Sequence, residues 1–212
     1  MKTLQNLNNQ RPSGTNAPPG ESLGAGHLFV VSAPSGAGKT TLCRAILKRF
    51  GDIRFSISST TRKPRPNERD GVDYYFIDKP EFQRKIKRSQ WAEWEEIYGN
   101  YYGTSSEFVE QCVSAGEDLL LDIDVKGSRQ LLKRYPFGIA IFIMPPSLDA
   151  LRQRLGRRGT ETSQELERRL SIAEQEINAG KNHRHVIIND DLDRAIAEFE
   201  AIILHYRGAK KA

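Results

Sequence analysis

The sequence predicts an α/β fold in which a parallel β-sheet is flanked by helices. Segments with the patterns of strands and helices alternate along the chain, and this alternation is typical of such a sheet. Short apolar runs suit strands that are buried on both faces, because helices cover both sides of a parallel sheet. These runs are residues 28–31, 119–121, 139–144 and 186–188. A chain of 212 residues is long enough for one such domain.

The first strand is predicted at 27–32 and is followed, after a glycine-rich turn, by a helix at 41–50. Apolar side chains recur on one face of that helix, as the helical period requires. They are Leu42, Ala45, Ile46 and Phe50. Residues 55–58 then alternate between polar and apolar, as a half-buried strand does.

The middle of the chain, residues 58–106, breaks the alternation of strands and helices, so we predict an inserted subdomain there. Asp78 is expected to cap a helix, with Pro80 in its first turn and Glu81 three residues after the cap. The β-rich segments of this region are 72–77 and 91–98, and residues 99–103 are predicted to form a turn.

The central architecture resumes after the insertion. Ser147 is expected to cap a helix that runs through Leu155, and a second helix of mixed charge covers 165–179. The last helix is predicted at 192–206. The arginine-rich stretch within 152–168 is predicted to be a mobile lid.

Composition, net charge and cysteine content limit the classes of protein that this sequence fits. Residues 1–26 are rich in Asn, Gly, Pro and Ser, and we predict a disordered extension before a domain at 27–207, with 208–212 as a tail. No apolar stretch approaches the length of a membrane span. The net charge of +5 suits phosphate-bearing partners and does not by itself indicate nucleic acid. Cys43 and Cys112 lack metal-ligand spacing, and a cytoplasmic, reducing location is expected.

The glycine-rich turn between the first strand and the first helix predicts a phosphate-binding site. Its residues are Ala33, Pro34, Ser35, Gly36, Ala37, Gly38, Lys39, Thr40 and Thr41. Backbone N–H groups of the turn and the helix N-terminus concentrate partial positive charge on an anion. Lys39 adds a full charge at the β- and γ-phosphates, and the Thr40 hydroxyl is a candidate ligand for Mg²⁺. Ala33 replaces the first Gly of the pattern, which is tolerated where φ is negative.

A second anion site is predicted in the insertion. Arg62 and Arg65 lie three residues apart in a proline-punctuated segment. Each guanidinium presents a planar fork that matches the oxygens of a phosphate. With a tyrosine hydroxyl, the two forks suit a second phosphate group that faces the first. Taken alone, the segment is equally well explained as a solvated basic loop.

Asp122 and Asp124 lie two residues apart at a strand end, so both are expected to point to the same face. A carboxylate in that position, beside a phosphate loop, commonly lies near Mg²⁺ or its waters, and Asp122 is the candidate for this role. The alternative is a strand-terminal acid bonded to nearby backbone.

The arginine-rich stretch within 152–168 has two interpretations. A run of arginines usually marks a solvated helix face. In phosphoryl transfer, however, one arginine is worth about 10³–10⁵ in rate.

Taken together and in order, the motifs of this chain resemble those of the guanylate kinase family. The motifs are Ser58-Ser59-Thr60-Thr61-Arg62-Lys63-Pro64-Arg65, Gly71-Val72-Asp73-Tyr74, Gly99-Asn100-Tyr101-Tyr102-Gly103-Thr104, Leu121-Asp122-Ile123-Asp124, Arg158-Gly159-Thr160-Glu161 and Asn189-Asp190-Asp191-Leu192. The resemblance implies a P-loop NTPase core, an inserted GMP-binding subdomain and an arginine-rich lid. It also implies transfer of the γ-phosphoryl group of ATP to GMP, with Mg²⁺.

The resemblance further implies roles for particular residues. The residues implied to bind the GMP phosphate are Arg62, Arg65, Tyr74 and Tyr102. Those implied to bind guanine are Ser58, Glu93, Thr104 and Asp124. The arginines that close over the transferring phosphoryl group match Arg154, Arg158 and Arg169, which join Lys39 as the expected catalytic residues. Asn189 falls in the segment near the adenine of ATP.

The chemistry of guanine supports the implied role of Glu93. Guanine presents N1–H and an exocyclic amine on one edge, and a carboxylate accepts both hydrogen bonds, whereas N1 of adenine is an acceptor that would face the carboxylate. Neighbouring aromatic side chains are expected to dry the pocket and strengthen this contact. On the residues alone, the favoured interpretation of Glu93 is an exposed strand acid beside Glu95 and Glu96.

Other classes of function fit the sequence less well. Asp124-Val125-Lys126-Gly127 matches the Asp-x-x-Gly pattern of a GTP-hydrolysing switch, but the guanine-reading Asn-Lys-x-Asp is absent. A non-catalytic binding module of the same fold typically loses the phosphate-loop lysine and the lid arginines, which this chain keeps. A nucleic-acid binder explains the charge and not the ordered motifs. The expected partners are therefore the small molecules ATP and GMP, with no nucleic acid and no membrane.

Overall fold

The structure is a computed structural model, and it describes residues 26–97, 99–156, 163–181 and 183–209. The strands of these residues are, in chain order, β1 (Leu28–Ser32), β2 (Arg54–Ser56), β3 (Ser59–Thr60), β4 (Tyr75–Phe76), β5 (Trp91–Ile97), β6 (Asn100–Ser105), β7 (Leu119–Asp122), β8 (Ile139–Met144) and β9 (His185–Ile188). The helices are α1 (Lys39–Arg49), α2 (Lys79–Lys87), α3 (Ser106–Ser114), α4 (Val125–Arg134), α5 (Leu148–Gly156), α6 (Ser163–Gly180) and α7 (Leu192–Ala209).

The central sheet has the strand order β2-β7-β1-β8-β9. All of its neighbouring strands are parallel. The prediction of a parallel sheet flanked by helices is therefore confirmed. β1 lies in the middle of the sheet, and each of its residues is buried, as a strand covered on both faces requires.

Two clusters of buried side chains cover the two faces of the central sheet, because successive residues of a strand point to opposite faces. Phe29 and Val31 of β1 pack with α1 and α7, where Phe199 is fully buried. Leu28 and Val30 pack on the other face with residues of α3 and α4. This double cover fixes the carboxyl ends of β1 and β7 next to one another, with Val31 in register with Asp122.

A second sheet, with the order β4-β3-β6-β5, runs from Ser59 to Ser105. The Phe82 ring of α2 stacks on Trp91 and on Tyr101, with ring centroids 4.3 Å and 5.2 Å apart. A Cβ atom on Gly103 would lie 2.9 Å from the Phe82 ring, so this strand position requires glycine. The Asp78 side chain caps α2 by accepting a hydrogen bond from the N–H of Glu81 at 2.6 Å, as the sequence predicts.

The predicted turn at 99–103 is wrong, because a strand begins at Asn100. β6 pairs with β5 in an antiparallel hairpin in which Asn100 lies opposite Ile97. Among these residues, Gly99 alone belongs to the turn, and its φ of +75° suits glycine. The division of the chain into core, insertion, lid and tail stays a prediction, and residues 1–25 lie outside the described part of the chain. None of the helices in the described residues is long and apolar enough to cross a membrane.

Candidate active site

The glycine-rich turn lies between the carboxyl end of β1 and the start of α1. Gly36 and Gly38 both have a φ of +91°, a conformation that side chains other than glycine rarely adopt. Gly38 is the N-cap residue of α1, so the free N–H groups of the first helical turn face the loop. Ser89 is the one described non-glycine residue with a positive φ, and Ala33 therefore keeps the negative φ that the sequence requires of it.

Lys39 and Thr40 both contact Asp122, which ends the neighbouring strand β7. The Lys39 ammonium forms an ion pair with Asp122 and also donates to the carbonyl oxygen of Ile123. The Thr40 hydroxyl donates to Asp122 Oδ2 at 2.9 Å. The partners of Asp122 are thus side chains of the phosphate loop. A hydroxyl and a carboxylate at this separation suit Mg²⁺, which takes oxygen ligands and prefers one or two carboxylates together with phosphate.

Of the two aspartates expected at a strand end, only Asp122 belongs to the strand. β7 ends at Asp122, and Asp124 is the N-cap residue of α4. Its side chain accepts a hydrogen bond from the N–H of Gly127 at 2.6 Å. The two carboxylates therefore have different partners, namely side chains of the phosphate loop for Asp122 and the backbone of α4 for Asp124.

Glu93 of β5 is buried, with 7% of its surface exposed. The fully buried Thr104 hydroxyl donates to Glu93 Oε1 at 2.6 Å. On the other side, a Cβ atom at Gly127 would lie 2.6 Å from Glu93 Oε2, so α4 packs closely on this carboxyl group. Burial raises the pKa of Glu93 to about 7, the Thr104 hydrogen bond opposes this rise, and the charges of Asp124 and Glu95 add to it. Glu93 is therefore not an exposed strand acid.

Arg62 lies among aromatic rings and one carboxylate. Its guanidinium carbon is 5.5 Å from the centroid of the Tyr74 ring, and the Tyr74 and Tyr102 rings are 6.0 Å apart. Two of its nitrogen atoms donate to the carboxylate of Glu68, each at 2.9 Å. The Glu68 hydrogen bond raises the pKa of Arg62 further above its ordinary range, although burial opposes this rise. The backbone N–H of Arg65 donates to Glu68 at 2.8 Å.

Two of the arginines expected to close over the transferring phosphoryl group lie against the phosphate loop. Arg154 Nη2 donates to the carbonyl oxygen of Asn189 at 2.8 Å, and its Nη1 donates to that of Ala37 at 3.4 Å. Arg169 Nη2 donates to the Ser35 hydroxyl at 3.3 Å. Arg158, the third of the expected arginines, lies outside the described residues.

The structure brings the predicted residues to two places. One is the phosphate loop with Lys39, Thr40, Asp122, Arg154, Arg169 and Asn189. The other is on or beside the second sheet, where Ser58, Arg62, Arg65, Tyr74, Glu93, Tyr102 and Thr104 lie. Asp124 stands between the two places, because it follows β7 and its charge acts on Glu93.

Sequence reasoning missed two carboxylates near these places. Glu68 holds Arg62, and the signal available for it was an acid three residues after Arg65. Glu176 of α6 is half-buried, and burial raises its pKa to about 7, with Asp124 adding to the rise and Lys39 opposing it. Glu176 follows Arg169 by seven residues, which places both on one face of a helix.

The parallel sheet, the glycine-rich loop at the end of β1 and the Asp122 carboxylate on the adjacent strand define a P-loop nucleotide-binding protein. The family model described as Guanylate kinase matches residues 25–206. A guanylate kinase of Symbiobacterium thermophilum is 50% identical over 179 residues, which cover 84% of this chain and 85% of that protein. A guanylate kinase of Geobacter sulfurreducens is 46% identical, with 84% of this chain and 88% of that protein covered.

A solved structure agrees with these sequence matches. The crystal structure of guanylate kinase from Anaplasma phagocytophilum superposes with a TM-score of 0.70 and 31% sequence identity, over 86% of each chain. The chain belongs to the guanylate kinase family.

Proposed function

We propose that this protein transfers the γ-phosphoryl group of ATP to GMP, which yields ADP and GDP. The observation that carries the proposal is the buried Glu93 carboxyl group with its hydrogen bond from Thr104. Guanine offers two donors on one edge, and a carboxylate in a dry pocket is the acceptor that matches them. Ser58 and Asp124 complete the proposed guanine site. Family membership supports the same reaction.

The phosphate of GMP is proposed to bind at the arginine pair of the second sheet. Arg62 is fixed by its contacts with Tyr74 and Glu68, so its guanidinium is held in place before a ligand arrives. Arg65 and the Tyr102 hydroxyl would add further donors to the phosphate oxygens. These groups would orient the acceptor oxygen of GMP toward the phosphate loop.

ATP is proposed to bind at the phosphate loop, residues 33–41, with Asn189 near its adenine. The backbone N–H groups at the start of α1 face the loop, and Lys39, which pairs with Asp122 in this structure, would pair with phosphate oxygens. Arg154, Arg158 and Arg169 are proposed to contact the transferring group. Charge spreads over its equatorial oxygens in the transition state, where arginine donors stabilise it most.

Thr40 would hold Mg²⁺ directly and Asp122 would hold it through its waters, since their two oxygens lie 2.9 Å apart beside the loop. When bound, Mg²⁺ neutralises charge on the β- and γ-phosphates. The protein's own part is to align the two phosphates for in-line attack and to exclude water, which would otherwise hydrolyse ATP. The reaction is proposed to take place in the cytoplasm, with both nucleotides as free small molecules.

One assay tests this proposal. ADP formation from ATP and Mg²⁺ is followed with GMP, AMP, CMP and UMP, each offered as the acceptor. We expect ADP formation that depends on the acceptor and is fastest with GMP. ADP formed equally without any acceptor would indicate hydrolysis, and no ADP with GMP would indicate a binding module instead of an enzyme.

A further inference from the structure

Glu68 contacts both arginines of the proposed GMP-phosphate site, Arg62 and Arg65. The function proposed above gives Glu68 no role. Its carboxylate accepts two hydrogen bonds from Arg62, both at 2.9 Å, and a third from the backbone N–H of Arg65 at 2.8 Å. The N–H of Glu68 donates in return to the carbonyl oxygen of Arg65 at 3.0 Å. Glu68 therefore links the guanidinium of Arg62 to the backbone of Arg65 through hydrogen bonds.

The hydrogen bonds of Arg62 leave one edge of its guanidinium for a ligand. A guanidinium has five N–H donors in a planar fork. Nη1 donates to the carbonyl oxygen of Lys63 at 2.8 Å and to Glu68, and Nη2 donates once to Glu68. These bonds use three donors, and the remaining two lie on the edge formed by Nε and Nη2. The Tyr102 side chain interacts with the same guanidinium. An anion that approaches this edge would share it with Tyr102 and would leave the Glu68 hydrogen bonds in place.

The surroundings of Arg62 explain why a carboxylate is needed there. The Arg62 and Glu68 side chains are each 17% exposed. The Arg62 guanidinium also lies 6.0 Å from the centroid of the Phe76 ring. A cation that is largely removed from water is costly unless an opposite charge accepts its hydrogen bonds. A bidentate carboxylate meets this need and fixes the plane of the guanidinium as well.

We propose that Glu68 is a positioning residue that preorganises Arg62 and Arg65 for the phosphate of the acceptor nucleotide. It sets the affinity for the phosphate part of GMP and leaves the guanine part unaffected. This inference rests on the proposed function, because it names a determinant of acceptor binding within that site. The opposite role is that Glu68 occupies the place of the phosphate and competes with it.

The first test is the Glu68→Gln substitution, which keeps the size of the side chain and removes its charge. We expect KM for GMP to rise by about tenfold, which corresponds to about 1.4 kcal/mol, while kcat changes less than about twofold and KM for ATP stays the same. Glu81→Gln is the matched control, since Glu81 lies on α2 in the same region, with its side chain 40% exposed, and pairs only at the surface with Lys85.

The second test measures binding without catalysis. Calorimetric titration compares GMP with guanosine, which lacks the phosphate, in the wild type and in Glu68→Gln. We expect GMP affinity to fall by about tenfold and guanosine affinity to stay the same. An equal loss for both ligands would mean that Glu68 only supports the local fold, and tighter GMP binding would mean that Glu68 competes with the phosphate. Each of these results overturns the proposal.

A double-substitution cycle tests whether Glu68 acts through Arg62. In an Arg62→Ala background, Glu68→Gln should cause much less than its own tenfold loss of GMP affinity, because the group that Glu68 positions is gone. Fully additive losses of GMP affinity would overturn the proposal.

A second variant keeps the charge of Glu68 and shortens its side chain. Glu68→Asp should lose less GMP affinity than Glu68→Gln, and it replaces Glu68→Gln in these tests if that variant does not fold. Absence of GMP-dependent ADP formation in the wild type would instead refute the proposed function itself.

Discussion

The side-chain amide of Asn189 donates a hydrogen bond of 2.7 Å to the carbonyl oxygen of Ala37 in the phosphate loop. Asn189 follows β9 and is buried, with 6% of its surface exposed. The contact is close enough that a Cβ atom on Gly38 would lie 2.4 Å from the Asn189 amide nitrogen. Arg154 donates to the carbonyl oxygen of Asn189 on the other side. The end of β9 and α5 therefore support the shape of the loop.

Asn189→Ala should weaken ATP binding by shifting the loop. The substitution removes the 2.7 Å donor to the Ala37 carbonyl oxygen, which keeps the longer contact from Arg154 at 3.4 Å, and it leaves a space beside Gly38. Loss of a buried hydrogen bond costs about 1–3 kcal/mol. We expect the melting temperature to fall by several degrees and KM for ATP to rise by at least about threefold, with KM for GMP nearly unchanged. Thermal unfolding and steady-state kinetics measure these changes. Asn178→Ala, on the exposed face of α6, is the control, and equal effects of both substitutions would contradict the role of the Ala37 contact.

Lys39→Ala should abolish phosphoryl transfer while the protein still folds. Lys39 contacts Asp122 at the edge of the loop and is outside both buried clusters of the central sheet. The proposed function places its charge at the ATP phosphates, so we expect kcat/KM to fall by at least about 10³-fold. Circular dichroism checks the fold, and Lys48→Ala, on the exposed last turn of α1, is the control. Wild-type turnover by a folded Lys39→Ala protein would refute the assignment of the phosphate loop.

Two arginines of α5 should differ sharply in their effect on rate. Arg154 contacts the phosphate loop, whereas Arg152 pairs with Glu167 at the surface. Arg154→Ala should lower kcat by at least about tenfold, because an arginine near the transferring group acts mainly in the transition state. Arg152→Ala should change kcat less than about twofold, since exposed ion pairs contribute little. Steady-state kinetics measure kcat for both variants. Equal losses of kcat would show that Arg154 is not part of the proposed site.

Glu93→Gln should change the choice of acceptor. The amide keeps the size of the side chain but replaces an acceptor with a donor, so a donor of guanine meets a donor of the protein. A mispaired group in a dry pocket costs about 1–3 kcal/mol, so kcat/KM for GMP should fall by at least about tenfold, with little change in ATP affinity. The value of kcat/KM for AMP should fall less. The measured quantity is the ratio of kcat/KM for GMP to that for AMP, and an unchanged ratio would leave Asp124 and Ser58 to discriminate.

Glu93 should make the protein less stable as the pH rises. Its pKa is about 7 in the folded protein against an ordinary value of 4.5, so the folded state keeps the proton where the unfolded state has lost it. Stability is therefore lost between about pH 4.5 and 7, by at most about 3 kcal/mol. Melting temperatures measured across this range should fall less steeply for Glu93→Gln than for the wild type, because an amide does not titrate. Parallel curves would show that the pKa of Glu93 is not raised in the folded protein.

The sequence predicted the central sheet well because its signals are local. An apolar run, two glycines and Lys39 suffice to place the phosphate loop, and the same kind of run places Asp122 at the end of β7. The turn predicted at 99–103 failed because Gly99 and Gly103 both resemble turn residues. Gly103 is in fact required by the Phe82 ring of α2, which packs against this strand position.

Burial of single polar residues could not be predicted for a similar reason. Glu93, Glu95 and Glu96 occur in one short strand, and their order alone does not say which carboxyl group is covered. Glu93 is buried because Gly127 of α4 and Thr104 of β6 close over it. Glu68 contacts the Arg62 guanidinium because the loop folds back on Arg62, which no periodic pattern encodes.

The ion pair between Lys39 and Asp122 bears on how readily the protein releases nucleotide. Asp122 already pairs with the lysine, so a triphosphate bound as proposed would meet a cation that has an anionic partner. The gain in free energy on binding would then be smaller than for an unpaired lysine. The same pair would remain available to Lys39 when a diphosphate leaves. The pair would therefore oppose tight retention of nucleotide at the loop.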